Sequence, residues 1–192
     1  MIKKVTLLFS LFVLTANFSI AKALMDDKIK NQDRTSIYES QYTSIAEKDC
    51  RTLDSDNMGS IQECEPYQNI FVKVLEGDIR QSITLRREEK EYALNFWLTI
   101  TDAFSSLGSK IEWRYKVDNP HYPVGLIVRL DVTEEIEDME HRISYLIVSK
   151  ITHNQICVVG KILPQANQTL LARSMLEHSE KMPCLTRITS FH

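Results

Sequence analysis

Residues 69–85 read Asn69-Ile70-Phe71-Val72-Lys73-Val74-Leu75-Glu76-Gly77-Asp78-Ile79-Arg80-Gln81-Ser82-Ile83-Thr84-Leu85. The first seven are β-branched and aromatic, the composition of a strand. Apolar residues then recur at 79, 83 and 85 between polar ones, the mark of a second strand with one buried face. Glu76-Gly77-Asp78 is the short turn between them, so the stretch predicts a β-hairpin.

Outward from this hairpin the strand signals continue. Ile111-Glu112-Trp113-Arg114-Tyr115 alternates, and Val124 to Leu130 is an apolar run beyond the turn Asn119-Pro120-His121-Tyr122-Pro123. Ile143 to Ile151 and Gln155 to Leu163 form a further strand pair around His153-Asn154. Ser36 to Ala46 is a weak helix-like or extended lead. Tyr92 to Leu107 fits both the two-residue and the helical period; a helix through Asp102 to Leu107, closed by Gly108, is favoured. Ala166 to Met182, between Pro164 and Pro183, is the clearest helix, with Leu170, Leu171, Ser174, Met175 and His178 at helical spacing. The expected fold class is α+β: a mainly antiparallel sheet of about six strands, its C-terminal helix pinned by a disulfide.

The start of the chain reads as a targeting segment. Lys3-Lys4 precedes an apolar run, Val5 to Ala16, and Ala21-Lys22-Ala23 offers a small-residue cleavage site. That is the layout of a secretory signal peptide over 1–23. A membrane span needs ~20 apolar residues, and Asn17 and Lys22 interrupt this run first. Residues 24–40 are then a loosely ordered mature N-terminus, and 41–192 a single globular domain. The 192-residue chain carries 23 Lys+Arg against 26 Asp+Glu, a charge of −3. Cleavage after Ala23 removes Lys3, Lys4 and Lys22 and no acid, leaving 169 residues at −6.

Cys50, Cys64, Cys157 and Cys184 all fall in the mature part, and an even count in an exported chain reads as disulfides. Of the three possible connectivities, Cys50–Cys64 and Cys157–Cys184 are preferred, since each joins sequence neighbours across a turn-forming segment.

A set of short motifs supports the same frame: Cys50 … Gly59-Ser60 … Cys64-x-x-Tyr67, Val74-x-x-Gly77-Asp78-x-Arg80, Ile111-Glu112-Trp113-Arg114, Pro123-x-x-Leu126-Ile127-x-Arg129, and Ala172-Arg173 ahead of Cys184. Over residues 42–184 they resemble an uncharacterised family of small secreted bacterial proteins. The resemblance implies export and the disulfide frame and carries no activity, cofactor or partner. The connections at 86–91 and 134–142 are longer and more charged than it leads one to expect.

Candidate chemistry is sparse. Asp54, Asp56, Gly59 and Glu65 sit at positions 1, 3, 6 and 12 of an EF-hand-like calcium loop, but position 5 is Met58 and Pro66 opposes an exiting helix. A solvated turn is the plainer reading. The histidines at 121, 141, 153, 178 and 192 form no metal-ligand spacing, and no G-x-S-x-G elbow is present. Glu112 and Arg114 share a strand face and suit an ion pair. Asp78 and Arg80 flank Ile79 and suit another. Arg129, within an apolar strand, calls for a carboxylate such as Asp78 or Glu112. These five form a possible charge cluster or binding site, read as scaffold first. Trp97 and Trp113 are read as core.

Five glycines leave little for phosphate loops, and the charge offers no field for nucleic acid. The expectation is a secreted or periplasmic, cofactor-free protein, non-enzymatic rather than enzymatic, that binds another protein or an envelope component. An inhibitor of an exported hydrolase is one version, and the acidic mature charge favours a basic partner such as a lysozyme. The alternatives are a small envelope hydrolase, or a calcium-stabilised module using residues 54–65. The leader reading has a direct check. Export of the full chain from a bacterial host should yield a product whose N-terminal residue is Leu24; an exported product retaining residues 1–23 would overturn it.

Overall fold

The computed structural model describes residues 37–134 and 142–186. Residues 1–23, expected to be a signal peptide, and residues 24–36 lie outside the described residues, as does most of the acidic stretch 134–142. The described residues from Tyr38 onward form one compact unit built on a single sheet.

The hairpin at 70–87 is present. Strand β4 (Ile70–Gly77) pairs antiparallel with β5 (Arg80–Arg87), from Ile70↔Arg87 to Gly77↔Arg80. The turn is one residue later than the sequence predicts. Asp78 and Ile79 occupy it, both with positive φ (52° and 58°), as a two-residue type I′ turn requires. Before this hairpin run β1 (Tyr38–Ser44), β2 (Arg51–Ser55) and β3 (Gly59–Tyr67); after it come β6 (Lys90–Ala93), the one-turn helix α1 (Phe96–Thr99), β7 (Phe104–Lys116), β8 (Asn119–Thr133), β9 (Ile143–Ile151), β10 (Ile156–Ile162) and helix α2 (Gln168–Glu177).

The mainly β architecture with a disulfide-pinned C-terminal helix is as expected; the strand count and pairing are not. The sheet has ten strands, not about six, in the order β10-β9-β8-β7-β5-β4-β3-β2, with β1 on β7 and β6 on β5. It is mixed: β5 meets β7 in parallel at Arg80↔Ser105, while the other pairings are antiparallel. The expected helix at 102–107 is instead the start of β7, and the turn expected at 119–123 belongs to β8. Within the stretch expected as a helix-like or extended lead, β1 is extended over residues 38–44, which takes residues 38–40 into the sheet.

One face of the sheet closes on the main core. Val72 and Val74 of β4, Ile83 and Leu85 of β5, Ile111 and Trp113 of β7, and Leu126, Val128 and Leu130 of β8 share one apolar cluster. Tyr67 of β3 stacks on Trp113 with ring centroids 4.8 Å apart, so the two halves of the sheet face each other across this core. Trp113 is fully buried and donates its indole N–H to Thr43 Oγ1 at 2.9 Å.

The other face of β8–β10 is also dry. Ile127, Leu146, Val148, Val159 and Ile162 pack beneath Ala172 and Leu176 of α2. Burial on both faces explains the uninterrupted apolar runs in β8 and β9. The buried stripe of α2 is Gln168, Ala172 and Leu176, whereas Leu171 and His178, expected on it, are exposed. Two glycines set this rotation. A Cβ on Gly125 would lie 2.3 Å from Leu176 Cδ1, and one on Gly160 2.5 Å from Met175 Sδ. The disulfides are Cys50–Cys64 and Cys157–Cys184, the nearest-neighbour pairing. The second ties β10 to the segment after α2, and Leu185 N donates to Val158 O at 2.8 Å.

The close approach of α2 makes Gly125 costly to replace. Gly125→Ala should destabilise by about 1–3 kcal/mol through overpacking, since its Cβ would fall 2.3 Å from both Leu176 Cδ1 of the helix and the Ser149 carbonyl oxygen of β9. Gly77→Ala, whose added Cβ meets nothing within 4 Å, should stay within about 0.5 kcal/mol of wild type. Paired urea denaturation curves test both; equal effects would show that the space over Gly125 is not closed by its neighbours.

Candidate functional site

The sequence-predicted charges separate into scaffold and surface. Glu112 and Arg114 do share the outer face of β7, and the helix buries them to 7% and 3% exposure. They do not pair with each other. Glu112 Oε1 accepts from Arg173 Nε of α2 at 2.6 Å, and Arg114 pairs with Glu177 one helical turn further on. Ser40 of β1 links the two, donating to Glu112 Oε1 at 2.5 Å and accepting from Arg114 Nη1 at 2.9 Å. Burial opposes the charge on Arg173, but the hydrogen bond and charge of Glu112 outweigh it and raise its pKa above the usual value. This lattice fastens α2 to β1 and β7.

Arg129 does not join it. It points to the outer face beyond the helix's apolar cover, is exposed, and donates to Ser144 Oγ at 2.5 Å; Ser144 in turn donates to Asp131 Oδ1 at 2.5 Å. Neither Asp78 nor Glu112 is its partner.

The calcium-loop residues are also pulled apart. β2 and β3 are the arms of a hairpin, with Asp56 at its tip. Glu65 lies six residues along β3 from Gly59, about 20 Å away at the ~3.3 Å rise of a strand. Asp54 and Glu65 are exposed, and Asp56 Oδ1 accepts instead from the backbone N–H of Met58 (2.7 Å) and Gly59 (3.0 Å). Among the described residues no group of three or more His, Cys, Asp or Glu is arranged to hold a metal.

What the fold brings together is one end of the sheet, where two hairpin tips adjoin. Asp78 N donates to Met58 O at 3.0 Å, tying the β4–β5 tip to the β2–β3 tip. Gly59 permits that approach, since a Cβ there would lie 2.0 Å from Glu76 O. Asp78 and Arg80 form the expected ion pair at this tip. Between them stands Ile79, 58% exposed, beside Met58 at 68%. Sequence reading placed Ile79 inside a strand, so its exposure was hidden.

Ile79 is the one β-branched residue with positive φ among the described residues. That conformation costs of order 1–3 kcal/mol for such a side chain. Its carbonyl accepts from Ser105 N at 3.1 Å, so β7 holds the tip in place. Beneath the tips lies an open cleft of about 670 Å³. Glu47, Asp56, Glu76 and Asp78 line it, and no Lys, Arg or His does. Glu47, Asp56 and Glu76 form no ion pair among the described residues. The geometry is two exposed apolar residues on adjoining tips, over a cleft whose charged lining is acidic.

Comparison with protein-family models, with curated proteins and with solved structures finds no match to this chain.

The scaffold lattice can be separated from this surface by measurement. A double-mutant cycle with Glu112→Leu and Arg173→Leu should give a coupling of about 1–3 kcal/mol, each single variant leaving a partly buried charge unpaired. Additive losses would show that the pair does not fasten the helix.

Proposed function

We propose that this chain is an exported, non-catalytic binding protein whose paired hairpin tips dock on a basic protein of the envelope or extracellular space. The observation that carries this reading is the placement of Met58 and Ile79. Two exposed apolar residues sit on adjoining hairpin tips, one of them at a backbone angle that disfavours it, and Glu47, Asp56 and Glu76 line the cleft they share. A strained, exposed apolar residue whose carbonyl is bonded by Ser105 of β7, and whose neighbour Asp78 is bonded to the β2–β3 tip, has the fixed backbone that a preorganised contact residue requires. The acidic cleft lining would steer a positively charged partner and set its orientation. Export is supported by the leader layout of residues 1–23 and by two disulfides, which persist in oxidising compartments. A binding role is further supported by Glu112, the carboxylate with the best claim to chemistry, being engaged by Arg173 and Ser40 beneath the helix. An inhibitor of an exported hydrolase is the concrete form, because two adjoining tips can enter a cleft.

Asn tolerates the left-handed region far better than Ile, so Ile79→Asn should preserve or raise stability while removing the contact. Residues 24–192, immobilised, should capture basic proteins from an envelope extract at low salt. The Met58→Ser/Ile79→Asn variant should lose them, by at least about tenfold in affinity for a purified partner, a loss of about 1.4 kcal/mol. Unchanged capture by the double variant, or partners of acidic charge, would overturn the proposal.

A further inference from the structure

The opposite end of the sheet has the contrary chemistry. Along β4, Ile70 lies seven residues from Gly77, about 23 Å at the ~3.3 Å rise of a strand. There the β5–β6, β7–β8 and β9–β10 turns and the end of α2 surround a cleft of about 870 Å³. That volume is within the range of small-ligand sites, ~300–1,000 Å³.

Four cations line it: Arg87, Lys90, Lys116 and Lys150. None forms an ion pair among the described residues. Arg87 Nη2 donates to the carbonyls of Thr152 (2.8 Å) and His153 (2.6 Å), and Lys90 Nζ to that of Asn154 (3.5 Å). Lys150 is only 4% exposed and donates to Glu180 O at 3.3 Å and Met182 O at 2.5 Å. An ammonium has three N–H groups, so these contacts leave one. Backbone carbonyls position such groups without cancelling their charge. The lining carboxylates are Glu88, Glu177 and Glu180, and Glu177 is already taken by Arg114. In a chain of negative net charge, the cleft therefore gathers an excess of positive charge.

The remaining lining is polar and ring-bearing. Tyr92 lies under both Lys90 Nζ, 4.9 Å from its centroid, and the Arg87 guanidinium, 5.8 Å away. Tyr122 is 66% exposed at the rim. Asn69, Asn119 and Asn154 add side-chain amides, each with two N–H donors and a carbonyl acceptor. Amides and phenols match a polyhydroxylated ligand, the exposed Tyr122 ring matches its rings, and cations without carboxylate partners among the described residues match acidic substituents.

We infer that this cleft binds a short saccharide bearing anionic groups. The site is separate from the hairpin tips, so it stands or falls without them. Titration calorimetry in 50 mM salt, on residues 24–192, tests it with a galacturonic acid tetramer as the carboxylate probe and a hexose phosphate as the phosphate probe. Saturable binding of either is expected. A neutral galactose tetramer and a tetraglutamate peptide should bind at least about tenfold more weakly. Lys90→Gln/Lys116→Gln changes two exposed side chains and should weaken the acidic sugar at least about tenfold, equivalent to about 1.4 kcal/mol. Its thermal unfolding should match wild type, while Met58→Ser should leave sugar binding unchanged. Binding of neither acidic probe, equal binding of tetraglutamate, or indifference to the double lysine variant would overturn the inference.

Discussion

The contact on which most of this molecule depends is the seating of helix α2 directly on the backbone of β8 and β10. It is possible because Gly125 and Gly160 present no side chain where Leu176 and Met175 descend. Everything on the outer face follows. With the helix that close, Ile127, Leu146 and Val148 lose water on a side of the sheet that would otherwise be solvated. Glu112 and Arg114 are enclosed with them, and both need partners that the helix itself supplies. A buried charge without a partner is strongly destabilising, so the two pairings also fix the helix's rotation and its position along its axis.

The same seating divides the charges by role. Glu112 and Arg114 at the middle of the outer face are consumed by the scaffold, while most of the charges at the two ends of the sheet lack a partner of opposite charge among the described residues. One end carries carboxylates in the cleft shared by exposed apolar tips, the other ammonium and guanidinium groups around tyrosines. A net charge of −3 describes neither end. Net charge alone pointed to a basic partner; its distribution supports two surfaces of opposite preference.

Legibility in the sequence followed the range of the interactions. The β4–β5 hairpin, the β9–β10 pair, α2 and both disulfides join neighbours in sequence, and their residue patterns announce them. β2 is exposed throughout and β6 nearly so, so neither has a buried face to impose alternation. β1 pairs Tyr38 with Lys116, a partner that local pattern cannot reveal. The start of β7 imitated a helix because Phe104 and Leu107 are three apart. The Asp78–Arg80 pair was readable because both partners lie on one turn. The partners of Glu112 and Arg114 were not, since Arg173 and Glu177 lie more than sixty residues on and meet them only through the helix's seating.

Ile79 shows where local and global preferences part. A type I′ turn favours Asn-Gly or Asp-Gly, and Gly in place of Ile79 would satisfy the backbone at no steric cost. Packing does not demand Ile either, because the side chain stands in solvent, away from both cores. Its carbonyl bond from Ser105 and the neighbouring Asp78–Met58 bond run through the main chain and would persist with glycine or asparagine. No term in the folded monomer therefore favours isoleucine at this position, and one disfavours it. Local rules broken without gain in the monomer are expected at functional positions. A term that would favour Ile79 is burial of its apolar surface against another molecule, and a residue already held in place by the turn loses little conformational freedom on docking.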